Sequence, residues 1–241
     1  MSEENSEFKR WEKAQVYEKN WWKNNVTRVG INYYEISAEE IRKYYNSNSE
    51  KGININTKIL EIGSGAVGIL TFLSESNCRF GIDPLEYYYA TIPEFKKARD
   101  EKVKYSSNKG EELPFENNYF DLIIMDNVLD HCQSPNLVFS EMDRVLAAGG
   151  VVYFRQNTYN YYGKYFRYFM ELFQIDKGHP YSFNKTELKN KFSSYNLKII
   201  ASYSAGYFST WKKEISSKSF KDIVKAVLLV TRNKVTFILK K

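Results

Sequence analysis

The sequence predicts an α/β fold built on a doubly wound, mostly parallel sheet. Three observations predict it. From residue 58 onward, short apolar runs alternate with helical patterns, as strands joined by crossover helices do. The first run, Lys58-Ile-Leu-Glu-Ile-Gly-Ser-Gly-Ala-Val-Gly-Ile-Leu70, reads as a strand passing through a glycine turn into a helix. An acid, Asp83, closes the second run 20 residues after Gly63.

The elements follow in order. Residues 7–50 read as helical and aromatic, with Trp11, Tyr17, Trp21 and Trp22 set among charges. Ser37-Ala-Glu-Glu40 has the form of a capping box opening a helix to about Tyr45. We therefore expect an N-terminal helical addition over 1–56, ending in the polar linker Asn46–Asn56, which either covers a pocket or serves packing alone. Strands are expected at 58–62, 79–83, 102–105, 120–125 and 149–155, and helices at 67–75, 92–99 and 134–147, the last ended by Gly149-Gly150. Thr158–Phe183 breaks the alternation with Tyr159, Tyr161, Tyr162, Tyr165, Phe166 and Phe173 among its rings. It is too long for an ordinary loop, so 158–178 reads as a cap inserted over the carboxyl ends of the strands. The core then comprises 57–157 and 179–241. Ser182 or Asn184 caps a helix to about Phe192, and strands follow at 198–203 and 235–240. The path of 205–232 is left open, with Phe220–Val230 as a helical candidate.

Composition narrows the function classes. The chain has 241 residues, 20 Tyr and 16 Phe, so some rings are expected to line a cavity. Residues 183–241 carry 13 Lys/Arg against 3 Asp/Glu, a net +10, whereas the first 182 residues carry a net −4. Such a basic section suits nucleic acid, anionic lipid or a phosphorylated substrate, or is simply a solvated face. Cys78 and Cys132 form no C-x-x-C pair, so neither a zinc site nor a disulfide framework is suggested and no metal is expected. The N-terminus is polar, and the longest apolar runs, such as Ala226–Val230, are too short to span a bilayer. A cytoplasmic protein is the default expectation, and exposed N-terminal aromatics offer a homodimer contact.

The glycine turn carries the first chemical signal. Gly63 and Gly65 allow a sharp bend and bring a ligand close to bare amides. A helix starting just beyond would direct its first N–H groups and dipole at that ligand. Asp83 stands where a carboxylate accepts both hydroxyls of a ribose. Gly63-Ser-Gly-Ala-Val-Gly68 matches the G-x-G-x-x-G dinucleotide pattern, yet Glu61 beside it would repel a pyrophosphate and suits a cationic amino-acid ligand.

Further blocks make the signal specific. Gly110-Glu-Glu-Leu-Pro-Phe-Glu-Asn-Asn-Tyr-Phe-Asp121, Asp126-Asn-Val-Leu-Asp-His131 and Asp143-Arg-Val-Leu-Ala-Ala-Gly-Gly150 follow in order. Together with the turn and Asp83 they resemble the class I S-adenosylmethionine-dependent methyltransferases, in particular the type 11 family, over residues 57–156 and more loosely 178–203. The resemblance implies a Rossmann-like seven-stranded sheet of order 3-2-1-4-5-7-6 with strand 7 antiparallel. It implies S-adenosyl-L-methionine as cofactor and S-adenosyl-L-homocysteine as product. By the same resemblance, Glu61, Gly63, Ser64 and Gly65 cradle the methionine end and Asp83 takes the ribose. Pro84 and Leu85 pack on adenine, backbone groups of Gly110 and Glu111 meet its edge, and Asp126 and Asn127 lie beside the sulfonium. Where many members have an acid for the adenine amino group, this chain has Lys109, which leaves backbone groups or Glu111 to that task.

The acceptor is less legible. His131 and His179 are the only histidines and are the candidate catalytic bases. Tyr33, Tyr34, Tyr161 and Tyr162 are candidate substrate-lining residues. A pocket roofed by rings suits a small-molecule acceptor methylated on oxygen or nitrogen: a sugar derivative, lipid-linked intermediate or natural product. The alternatives are an RNA methyltransferase using the basic C-terminal section, a nicotinamide-dependent reductase, and a cofactor-binding protein without turnover. The lysines are not interleaved with aromatics and no RNA-binding module is appended, which argues against nucleic acid.

Overall fold

The computed structural model describes residues 3–26, 30–172, 178–204 and 206–241. Its centre is a seven-stranded sheet: β1 Lys58–Ile62, β2 Cys78–Ile82, β3 Lys104–Ser106, β4 Phe120–Asp126, β5 Leu146–Thr158, β6 Lys198–Ser204 and β7 Asn233–Lys240. The spatial order is β3-β2-β1-β4-β5-β7-β6. The first five strands pair in parallel, and β7 runs antiparallel to both β5 and β6. The chain reverses its winding on either side of β1 and β4, and that reversal opens a crevice at the carboxyl ends of those strands.

Alternation along β4 shows how the core divides. Leu122 and Ile124 face one side, where they pack with Ile59, Leu70, Tyr153 and with Ala38 and Ile41 of α2 (Ile31–Asn48). Ile123 and Met125 face the other, against Val138 and Phe139 of α5 (Pro135–Val145) and Phe192 of α7 (Lys185–Ser193). Both faces are covered, which is why these strands read as continuous apolar runs. Asn184 caps α7: its side chain accepts the Glu187 amide at 2.9 Å while Glu187 reaches back to the Asn184 amide at 3.0 Å.

Four local expectations are corrected. The helix expected at 67–75 is a single 3₁₀ turn, Ile69–Phe72, because Gly68 before it has φ +83° and the Val67 carbonyl is taken by the Tyr105 hydroxyl at 2.7 Å. Ser37 does not open a helix; α2 already begins at Ile31, and Ser37 Oγ bonds back to the Tyr33 carbonyl at 2.7 Å. Gly149-Gly150 does not end α5, which stops at Val145; the pair lies within β5, where the register against β4 shifts and Gly149 adopts φ +76°. The open stretch after β6 forms two helices, α8 (Tyr207–Ile215) and α9 (Phe220–Val227), with residue 205 outside the described residues.

The remaining elements are α1 (Glu3–Asn24), α3 (Glu86–Tyr89), α4 (Pro93–Ala98), a 3₁₀ turn at Leu129–His131 and α6 (Tyr161–Leu172). α6 lies in the stretch read from the sequence as a cap, and none of its described residues lines the cavity given below; Phe173 and the rest of 173–177 lie outside the described residues. No described helix is long and apolar enough to cross a membrane.

Candidate functional site

A cavity of about 290 Å³ opens at the carboxyl ends of β1, β2 and β4. Its floor is the turn Gly63-Ser64-Gly65. Asp83, Pro84 and Leu85 form one wall, and Gly110 and Glu111 extend it. Asp126, Asn127, Val128 and His131 form another, and Tyr33 and Tyr34 of α2 close a third. Every cofactor-contact residue expected from the sequence thus lines one cavity, together with two of the four expected tyrosines.

The turn is fixed by its neighbours. Gly63 has φ +74°, and a Cβ there would stand 2.3 Å from a methyl of Val128, so both conformation and space demand glycine. Gly65 has φ +60°, and a Cβ there would meet nothing within 4 Å, because it would point into open space. Arg99 holds the turn from behind. It donates to the Gly65 and Ala66 carbonyls, both at 2.9 Å, and grips Glu86 with two nitrogens at 2.7 and 2.8 Å. Asp83 binds the turn from the front, with Oδ2 accepting the Gly65 amide at 3.0 Å and Oδ1 the Leu85 amide at 2.9 Å. Ser64 Oγ is buried on the floor and, among the described residues, has no hydrogen-bond partner.

Glu61 is 2% exposed and accepts the amides of Ile69 and Leu70 at 3.0 and 3.2 Å. This corrects the expected geometry: the first N–H groups of the following turn are aimed at Glu61, not at a ligand. Burial pushes its carboxyl up to about 8, the two amides pull it down, and Asp126 and Asp83 push it up again. Burial likewise pushes Asp83 up to about 6, against the pull of the Leu85 and Gly65 amides. Burial thus favours the protonated form of both carboxyls, and a cationic group in the cleft would draw them back toward the ionised form.

Asp126 is engaged by Arg155, which donates from Nε at 2.7 Å and from a terminal nitrogen, while the Tyr33 hydroxyl also donates to it at 2.5 Å. Arg155 also reaches Tyr33, Ser37 and Glu40 at 2.8, 2.7 and 3.3 Å, so one buried guanidinium ties β5 to β4 and α2. Burial, with Asp126 alongside, raises the Tyr33 phenol well above its ordinary value. Asn127 adopts φ +57°, and its Oδ1 accepts the Asn157 amide at 3.1 Å. Glu111 Oε1 accepts the amides of Gln133 and Ser134 at 2.6 and 3.0 Å, at the start of α5.

Tyr161 and Tyr162 do not line the cavity; they are 81% and 67% exposed on α6. His131 lines it and His179 does not, but their rings lie 4.7 Å apart. Trp11 and Trp22 of the N-terminal addition line the cavity from α1 together with Gln15 and Glu18, which sequence reasoning did not single out. Their spacing of four, three and four residues is a helical stripe that would have revealed them. Lys109 lies 3.9 Å from the Trp11 ring centroid, a cation–π contact that accounts for a lysine at that position.

Comparison with known proteins agrees with this geometry. The methyltransferase-domain family matches residues 60–154. An uncharacterised protein of Methanocaldococcus jannaschii is 28% identical over 128 residues, 51% of this chain and 60% of that protein. The sarcosine/dimethylglycine N-methyltransferase of Aphanothece halophytica is 28% identical over 99 residues, 39% of this chain and 35% of that enzyme. The chain therefore spans less than two thirds of these curated relatives. The geranyl diphosphate C-methyltransferase of Streptomyces coelicolor, solved with S-adenosyl-L-homocysteine, superposes with a TM-score of 0.60 at 11% identity, covering 84% of this chain and 78% of that one. Residues 60–154 thus match the methyltransferase-domain family, and the strand order gives the chain the Rossmann-like fold of the solved methyltransferases it resembles.

Proposed function

We propose that the chain is an S-adenosylmethionine-dependent methyltransferase acting on oxygen or nitrogen of a small-molecule acceptor: a sugar derivative, lipid-linked intermediate or natural product. The observation that carries this reading is the convergence of Gly63, Ser64, Gly65, Glu61 and Asp83 on one cavity. Three features fit the cofactor: the unpartnered Ser64 hydroxyl, the open space beyond Gly65, and two carboxyls whose proton affinity is raised. The bound cofactor supplies a methyl group already activated on a sulfonium.

The chain's own residues align and enclose. Asp83 presents its carboxylate to the ribose hydroxyls, Glu61 lends negative charge to the amino-acid end, and Pro84 and Leu85 offer an apolar wall to the base. The backbone of Gly110 and Glu111 meets the edge of that base. Asp126 and Asn127 border the reacting end. The helical addition over 1–56 excludes water through Trp11, Trp22, Tyr33 and Tyr34; the core comprises 57–157 and 179–241. Alignment of this kind contributes about 7–11 kcal/mol in favourable cases. The acceptor enters beside His131. The N-methyltransferase activity named for the Aphanothece halophytica relative agrees with a nitrogen acceptor.

Thermal-shift runs with S-adenosylhomocysteine and with NADH test the reading. Stabilisation by the former alone supports it. Stabilisation by NADH alone would replace it with a reductase.

A further inference from the structure

We propose that Asp130, His131 and His179 form a binding site for one divalent transition-metal ion at the edge of the cofactor cleft. One donor atom from each lies within 4.8 Å of the others. Asp130 stands between the two rings: Oδ1 is 3.9 Å from His131 Nε2, and Oδ2 is 4.0 Å from His179 Nε2. Donors around an ion at about 2.1 Å stand roughly 3.0–3.5 Å from one another. The three groups therefore need only small side-chain rotations to close on it. Two imidazoles and one carboxylate select zinc, iron, cobalt or nickel over magnesium.

The supporting residues are arranged to hold the ligands in place. Gln156 is fully buried and donates to Asp130 Oδ1 at 2.8 Å, while its own oxygen accepts the Leu129 amide at 3.2 Å. The carboxamide cannot turn over without losing one of these bonds, so it fixes the carboxylate. The segment bearing His179 is tied to the same turn, because the Tyr181 amide donates to the Asp130 carbonyl at 3.4 Å and the Tyr181 hydroxyl to the Gln133 carbonyl at 2.8 Å. The carboxylate is 9% exposed and the imidazoles 22% and 20%, so the ion has a path in. His131 lines the cavity, which turns the remaining coordination positions toward the cleft. There the ion would take an oxygen or nitrogen of the acceptor and polarise it. This last role rests on the proposed methyl transfer; the ion site itself does not.

Calorimetric titration of the full chain with Zn²⁺ alone tests the site. One equivalent should bind, Mg²⁺ should give no comparable heat, and His179→Ala and Asp130→Asn should each weaken Zn²⁺ at least about tenfold. S-adenosylhomocysteine affinity should be unchanged in His179→Ala, which shows that the chain is still folded. Failure of the unaltered chain to bind one Zn²⁺ would overturn the proposal, as would binding that survives both substitutions or is lost in Cys132→Ser instead. Zn²⁺ binding without S-adenosylhomocysteine binding would retire the methyltransferase reading and leave the ion site standing.

Discussion

Asp83 Oδ2 accepts the backbone N–H of Gly65 at 3.0 Å, so the acid that ends β2 is a structural part of the turn that follows β1. In the proposed function the same carboxylate takes the ribose. Binding and architecture therefore share one side chain, and its loss should affect both. Asp83→Ala should lower S-adenosylhomocysteine affinity more than tenfold and also lower the melting temperature. Asp83→Asn should keep one of the two amide bonds and fall between. Calorimetry and thermal melts on the same samples check this.

Gly63 and Gly65 should respond differently to alanine. At Gly63 the Cβ would collide with Val128, so Gly63→Ala should destabilise the chain severely. At Gly65 the Cβ meets open space, and the left-handed backbone alone costs about 1–2 kcal/mol. Gly65 lines the cleft, so Gly65→Ala should reduce cofactor affinity more than stability. Urea denaturation beside a ligand titration separates the two effects.

Arg155 neutralises Asp126 at a site where their side chains are 6% and 7% exposed. Removing one partner of a buried pair leaves the other charge uncompensated, at about 3–5 kcal/mol. Arg155→Ala should show a loss of that size in urea denaturation, and Arg155→Ala with Asp126→Ala should recover part of it.

Glu61 gives a pH signature. Its proton affinity is raised from an ordinary 4.5 to about 8, so its contribution to stability is fully present below the unfolded-state value and is lost as pH rises through about 8. Asp83, raised from 3.8 to about 6, acts in the same direction. Glu75, Asp100 and Glu141 are lowered, and their effects fall below the ordinary carboxyl range. The ligand-free chain should therefore become less stable between pH 5 and about 8, and cofactor binding near pH 7 should release protons. Denaturation midpoints against pH, and binding enthalpies in two buffers of different ionisation heat, read these effects.

Much of this was legible in the residues. The alternation from 58 onward and the doubly covered β4 gave the sheet, because burial on both faces leaves continuous apolar runs. The cleft acids were legible because their spacing from the turn is short and local. What escaped depends on distant contacts. Nothing near Lys109 in sequence announces Trp11, and nothing near Asp126 announces Arg155. The 3₁₀ turn after Gly68 escaped because the competitors for its backbone, Glu61 and Tyr105, arrive from other strands. Tyr161 and Tyr162 were misplaced because an aromatic helix reads alike whether its rings face a pocket or solvent.

A crystal structure with S-adenosylhomocysteine bound tests the central claim most directly. The account predicts the ribose hydroxyls on Asp83, the amino-acid end against Gly63, Ser64 and Gly65, and the base between Leu85 and the backbone of Gly110. Ligand bound outside this cleft, with the turn after β1 empty, would contradict it.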